Sequence, residues 1–238
     1  MGYREQSPPP ELAALVECSW TRTGRVEPGR VLPDGCMDLI RSGDQTIVAG
    51  PDTTAYLAAG SPHPIQGLRF RPGVLPRLLD VPAAEVQNIR VPLHDLRTVR
   101  RDRSLYELTA DLASGRPGTT TAPWSLPTLR EVTNRLADGA AVGDIAHATG
   151  WSTRTLQRQC AAVYGYGPAM LRRVLRFRRA VRLLSAGLPA ADVAAQAGYA
   201  DQPHLHREVR DLAGVPLRQL ASGAYRSTDV PSGSSTVA

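Results

Sequence analysis

The chain contains no lysine, only 3 cysteines and 2 phenylalanines, and no apolar run near the ~20 residues that cross a bilayer. Cys18, Cys36 and Cys160 are an odd set without a C-x-x-C pair, which excludes a disulfide scaffold and predicts free thiols in a reducing compartment. The longest apolar stretches, around residues 12–16 and 190–197, exclude a membrane span and a membrane partner. The opening MGYREQSPPPELAALVECSW has no basic segment leading into an apolar run and a small-residue cleavage site, so a cytoplasmic location is expected rather than secretion. No G-x-S-x-G, phosphate loop, H-E-x-x-H or dinucleotide fingerprint occurs, so neither an enzyme nor a cofactor is expected. The absence of lysine makes every cationic side chain an arginine; by itself it points to no function.

What is present is ordinary globular material. Apolar residues are 42% and charged residues 21% of 238, enough for one large domain or two small ones. Charge divides the chain: residues 1–120 hold 14 Arg and 14 acids, whereas residues 121–238 hold 14 Arg and 8 acids, so the net charge of +6 is C-terminal. A basic half joined to a neutral one fits a nucleic-acid-binding domain beside a domain with another task; a solvated basic face is the plain alternative. The stretch SGRPGTTTAPWSLP reads as a linker. The expected organisation is a β-rich domain over 1–115, a linker over 116–125, a helical domain over 126–221 and a disordered tail over 222–238.

The basic half repeats itself. DIAHATGWSTRTLQRQC from Asp144 aligns with DVAAQAGYADQPHLHREV from Asp192, pairing Ile145 with Val193, Ala146 with Ala194, Gly150 with Gly198 and Trp151 with Tyr199. One residue is then inserted in the second copy. Each unit reads as a helix-turn-helix: an acid complements the first helix dipole, a small alanine permits close approach, and a glycine turns the chain. Ser152 or Asp201 can cap the second helix, and Pro203 suits its first turn. The second helices carry groups able to meet phosphates or base edges: Ser152, Thr153, Arg154, Thr155, Gln157 and Arg158, then Gln202, His204, His206 and Arg207. A single such pair could equally be a helical hairpin in a core; the duplication favours DNA. Between the copies, Pro168 opens and Gly187 closes a helix with Leu171, Val174, Leu175, Val181 and Leu184 at helical spacing. Its arginines, Arg172, Arg173, Arg176, Arg178, Arg179 and Arg182, read as a solvated face with some phosphate contacts.

Residues 126–220, with both repeats, the RFRRAVRLL stretch and the ending GYADQPHLHREVRDLAGVPLRQL, resemble the DNA-binding domain of the AraC/XylS family of bacterial transcription regulators. The resemblance implies a sequence-specific regulator placing two recognition helices in successive major grooves of double-stranded DNA. By motif position it implies base reading by Arg154, Gln157 and Arg158 and by Gln202, His204, His206 and Arg207; arginine pairs with guanine and glutamine with adenine. RNA polymerase is the implied further partner of an activator, and a homodimer is compatible but not required. Cys160 and Val209 stand where the family usually has Phe, and Leu217 where it has Pro, which predicts looser packing there. Cys160 is expected to be a small core residue.

The neutral half has strand character over residues 31–32, 37–41, 46–49 and 65–71, with helices expected near 11–17 and 104–112. The fold class is therefore α+β: a small β-rich domain followed by an all-α domain. VLPDGCMDLI, VAGPDT and GLRFRPGVLPRLLDVPAAE resemble, over residues 8–97, a domain of uncharacterised function that accompanies the same DNA-binding domain in many short regulators. The resemblance implies, by analogy, a cupin-like sensor of a small effector or a dimerisation domain; a protein-docking module is the alternative. Asp34, Cys36, Asp38 and Arg69 are the candidate effector residues, the first three alternating on an expected strand. Asp34 and Gly35 also suit a turn, and Asp38 could pair with Arg69 or Arg71. A metal site adding His63 and His94 lacks compact ligand spacing, and no metal is expected. A nucleophilic Cys36 with His63 as base is a formal enzyme alternative. The DNA-repair methyltransferases found beside this type of DNA-binding domain need more zinc-binding cysteines than the three dispersed here.

Overall fold

The computed structural model describes residues 2–100 and 102–221; the tail expected over 222–238 lies outside them. The strands are β1 (Gly2–Gln6), β2 (Val16–Thr23), β3 (Gly29–Val31), β4 (Met37–Ser42), β5 (Gln45–Ala49), β6 (Tyr56–Ala58), β7 (Ile65–Phe70) and β8 (Arg90–Pro92). Six form an antiparallel sheet in the order β1-β2-β7-β4-β5-β8, and β3 pairs with β6 in a separate ribbon. The larger sheet is open, with β1 and β8 as its edges.

Strand alternation gives that sheet two unlike faces. Val16, Met37, Leu39, Val48, Leu68 and Phe70 enter the core, while Trp20, Asp38, Ile40, Ile47 and Arg69 line a cavity that the β3–β6 ribbon also walls. In β2 the register slips between Val16 and Cys18, which pair with Phe70 and Arg69 respectively. Glu17 is the extra residue of this bulge, the device that re-aims a side chain out of the ladder.

The helix expected over 11–17 does not form. Pro10–Leu12 makes one 3-10 turn and β2 already begins at Val16. Leu12, Leu15 and Val16 imitate helical spacing because a turn carries two leucines onto the core before the strand adds the third contact. The other N-terminal helices are α1 (Val74–Leu79), α2 (Leu93–Leu96) and α3 (Leu105–Ala113). In α3 the Ser104 side chain accepts from Glu107 N–H and Glu107 reaches back to Ser104 N–H, closing a capping box at the expected start.

Seven helices follow: α4 (Leu126–Ala137), α5 (Val142–Ala148), α6 (Thr153–Tyr164), α7 (Pro168–Ser185), α8 (Ala190–Ala197), α9 (Gln202–Ala213) and α10 (Leu217–Ala221). The segment 116–125 is tied down: Thr121 Oγ1 donates to Asp80 at 3.0 Å, Arg77 donates to the Trp124 carbonyl at 3.0 Å, and Trp124 stacks on Trp151 with centroids 5.1 Å apart. Two cores result. One runs continuously from the sheet through α1 and α3 into α4, α5, α6 and the first half of α7. The other joins the second half of α7 to α8, α9 and α10. The first helix-turn-helix thus shares its core with the β-rich domain, while the second has its own.

Candidate functional site

Both second helices start as their caps dictate. Ser152 Oγ accepts from Thr155 N–H at 3.1 Å, and Asp201 Oδ1 accepts from His204 N–H at 2.6 Å with Pro203 in the first turn. Gly198 ends α8 at φ 81°, in the left-handed region where a β-carbon is strained. Leu156, Cys160 and Val163 bury one face of α6, and Leu205, Val209 and Leu212 bury one face of α9. The opposite faces expose Ser152, Thr153, Arg154, Gln157 and Arg158, and Gln202, His206 and Arg207; Thr155 is half-buried. Cys160 is a buried core residue whose thiol burial pushes up to about 12.

His204 is held more closely than its neighbours. Its ring meets Tyr199 edge-on at 5.2 Å, Nδ1 lies 3.4 Å from Ala200 N, and Nε2 lies 3.9 Å from Glu208. It is thus turned toward the helix-turn junction, whereas Arg207 is exposed and His206, also exposed, meets Gln202 at 3.4 Å.

The arginines of α7 divide by task. Glu208, 5% exposed, accepts from Arg173 at 3.0 Å and Arg176 at 2.7 Å, and Arg176 also lies 4.6 Å above the Tyr199 ring. This clamps α9 to α7. Arg178 donates to Glu17 and to Cys36 Sγ at 3.6 Å. Only Arg179 and Arg182 of the six are exposed, so the solvated face expected from sequence is mostly a bonded one.

The cavity between the larger sheet and the ribbon measures about 290 Å³ and is lined by the candidates Asp34, Cys36, Asp38 and Arg69 together with Trp20, Ile47, Tyr56 and Arg90. Asp34 and Cys36 reach it from the turn before β4, not from a strand as expected. Asp34 Oδ1 accepts from Cys36 N–H at 2.8 Å, and Gly35 has φ 84°. Arg69, 6% exposed, is ringed by Glu5 at 3.2 Å, Asp34 at 3.2 Å and Asp38 at 3.7 Å. Burial opposes its charge, but Asp38 and Asp34 outweigh that and hold its pKa well above the ordinary value. Burial pushes the Asp38 carboxyl up to about 6 against the pull of Arg69, while Trp20 Nε1 donates to its Oδ2 at 2.8 Å. Asp52 grips Arg90 through bonds of 2.8 and 2.6 Å, and Arg90 stacks 3.8 Å above Tyr56.

Two groupings weighed from the sequence, a metal site and a Cys36–His63 pair, are not brought together among the described residues. Among the described residues no three His, Cys, Asp or Glu side chains group as metal ligands. His63 lies in an exposed turn held by Ser61 and His94 pairs with Asp95, whereas Cys36 is buried against Glu17 and Arg178 with its thiol pKa raised well above normal by burial. No helix among the described residues is long and apolar enough to cross a membrane.

Trp20, Tyr56, Asp52 and Arg90 were not legible as cavity residues because four separate segments deliver them. Sequence did not reveal the routes from this cavity to the helices either. A β-carbon at Gly35 would stand 3.3 Å from Leu175 of α7. Ala55 N–H, beside β6, donates to the Leu212 carbonyl of α9 at 2.7 Å, and Leu32 of the cavity wall packs on the second core. Outside the cavity lining, Gln87 also ties the β-rich domain to the helices, donating to the carbonyl of Gly165, the residue ending α6, at 2.6 Å.

The sequence matches the family model of a helix-turn-helix domain over residues 131–222 and that of a domain of unknown function, DUF6597, over residues 4–92. No curated protein matches it. The C-terminal domain of AraT, a response regulator from Geobacillus stearothermophilus, is similar at 22% identity, over 40% of this chain and 84% of that one, with a TM-score of 0.37. ToxT from Vibrio cholerae O395 is similar at 11% identity, over 88% of this chain and 98% of that one, with a TM-score of 0.47. The matched regions are thus a helix-turn-helix domain, helical throughout, preceded by a domain of unknown function that is β-rich here.

Proposed function

We propose that the chain is a sequence-specific transcription regulator whose α6 and α9 enter two adjacent major grooves of one DNA site, and whose affinity is set by a small effector in the N-terminal cavity. The observation that carries the reading is the pairing of two capped helices, each with a buried apolar face and an exposed row of polar and basic side chains, across the 18-residue α7. At 1.5 Å per residue that strut is about 27 Å long, suited to reading heads about one DNA turn apart. Arg154, Gln157 and Arg158 read one groove; Gln202, His206 and Arg207 read the other, with His204 chiefly holding the turn. Ser152, Thr153 and Thr155 at the α6 N-terminus, and Arg179 and Arg182, offer phosphate contacts that fix register.

Regulation follows from the position of the cavity. Its walls are the Asp34–Gly35 turn, which touches α7, and the β3–β6 ribbon, whose neighbour Ala55 bonds to α9. A ligand that shifts either wall changes the freedom of a reading head, which is the differential interaction a switch requires. Footprinting of the full-length protein tests the reading: Arg154→Ala and Arg207→Ala should each erase protection over a different half of the site. Loss of the same half by both variants would overturn the two-groove arrangement.

A further inference from the structure

The charges around the cavity are unequally distributed. Both deep guanidiniums are committed: Arg90 is gripped through both of its terminal nitrogens by Asp52, and Arg69 faces three carboxylates. Of these carboxylates Asp34 and Asp38 line the cavity, two negative charges against the single guanidinium of Arg69. Asp38 is the least well paired of the three, since its Oδ1 reaches Arg69 only at 3.7 Å, beyond hydrogen-bond length, and its Oδ2 has only the neutral indole N–H of Trp20. Apart from Arg22, whose guanidinium lies 5.7 Å from the centre of the Tyr3 ring, the remainder of the wall is mainly apolar, with Trp20, Val31, Ile40, Ile47 and Ala49 among the lining residues. An anion entering here would find Arg69 and Arg90 already ion-paired and Arg22 lying over Tyr3, and would face Asp34 and Asp38. A cation would relieve them, and its apolar body would bury against aliphatic and aromatic surface, where cation–π attraction to an aromatic ring adds to the gain.

Resting on the reading of the N-terminal domain as a sensor, we infer that this cavity is a binding site for a small organic cation, a protonated or quaternary amine with an apolar body, its charged nitrogen beside Asp34 and Asp38. The volume of about 290 Å³ lies at the lower end of small-molecule sites and limits the body to about one ring or a short branched chain.

Calorimetric titration of the full-length protein tests this with phenethylamine and phenyltrimethylammonium against 3-phenylpropionate and 2-phenylethanol, probes alike in apolar body and different in charge. The cations should bind saturably and at least about tenfold more tightly than the acid or the alcohol. Asp38→Asn should weaken the cations about tenfold or more without helping the alcohol. Ile47→Phe, which fills the space and leaves every charge in place, should weaken all probes, and it serves if Asp38→Asn fails to fold. Equal or tighter binding of the carboxylate, cation binding unchanged in Ile47→Phe, or no cation binding up to about 10 mM would overturn the inference. Titration of operator DNA with and without saturating phenyltrimethylammonium separates the two readings. Cation binding without any change in DNA affinity overturns the sensor and leaves the site; DNA binding that is specific while no cation binds overturns the site and leaves the regulator.

Discussion

Glu17, the extra residue of the β2 bulge, accepts a hydrogen bond from Arg178 in the middle of α7, across 161 positions of chain. Both side chains are mostly buried, and Cys36 of the cavity turn touches both. The pair therefore ties sheet, cavity and strut together. Arg178→Ala should destabilise the protein by about 3 kcal/mol, because it leaves Glu17 buried without its cation. A double-mutant cycle with Glu17→Gln, read by chemical denaturation, should give a coupling of about 1–3 kcal/mol. Additive losses would mean that the two residues act separately.

The clamp on the second reading head makes a separate prediction. Glu208→Ala leaves Arg173 and Arg176 without their shared acceptor and should cost about 3 kcal/mol, with protection from amide exchange lost first in α8 and α9. Uniform loss across α4 to α6 as well would contradict the division into two cores.

On α9, exposed Arg207 and engaged His204 should respond differently. Arg207→Ala should cost about 1–3 kcal/mol at the proper site and relax base preference there, with little change in melting. His204→Ala should lower stability by about 1 kcal/mol, since its packing on Tyr199 is lost, and alter base preference less. The opposite pattern would return His204 to the reading row.

Asp38 titrates against Arg69, Asp34, Trp20 and Arg90, which face it from three strands and a turn. Its carboxyl stands at about 6 when folded, above the ordinary 3.8, so the native state holds the proton more tightly. That contribution is fully present below the ordinary value and is lost as pH rises through the folded one. Asp38→Asn cannot ionise and escapes the loss. Its unfolding free energy relative to the native sequence should therefore rise by about 2 kcal/mol between about pH 4.5 and 7.5. Asp52 is common to both proteins and largely cancels; a flat difference would show that Asp38 does not change charge in this range.

Local signals were the legible ones. Ser152, Asp201, Gly198 and Pro203 announce the helix-turn-helix units because caps and turns are settled within a few residues. Asp34 and Gly35 were legible as a turn for the same reason, whereas the strand expected to carry Cys36 begins only at Met37. Leu12, Leu15 and Val16 misled because a 3-10 turn followed by a bulged strand gives apolar spacing close to that of a helix. The short helix α1 went unread among Pro72, Gly73 and Pro76, which locally signal a loop; packing on α3 and α6 stabilises it. The Glu17–Arg178 and Ala55–Leu212 contacts depend on tertiary placement that no periodicity encodes.

The most direct test of the central claim is selection of genomic DNA fragments by the full-length protein, followed by titration of the recovered site against random DNA at physiological salt. Two half-elements about one turn apart, bound about 10³-fold or more tightly than random DNA, are predicted. Binding that is salt-sensitive and blind to sequence, with no shared motif among the fragments, would contradict it.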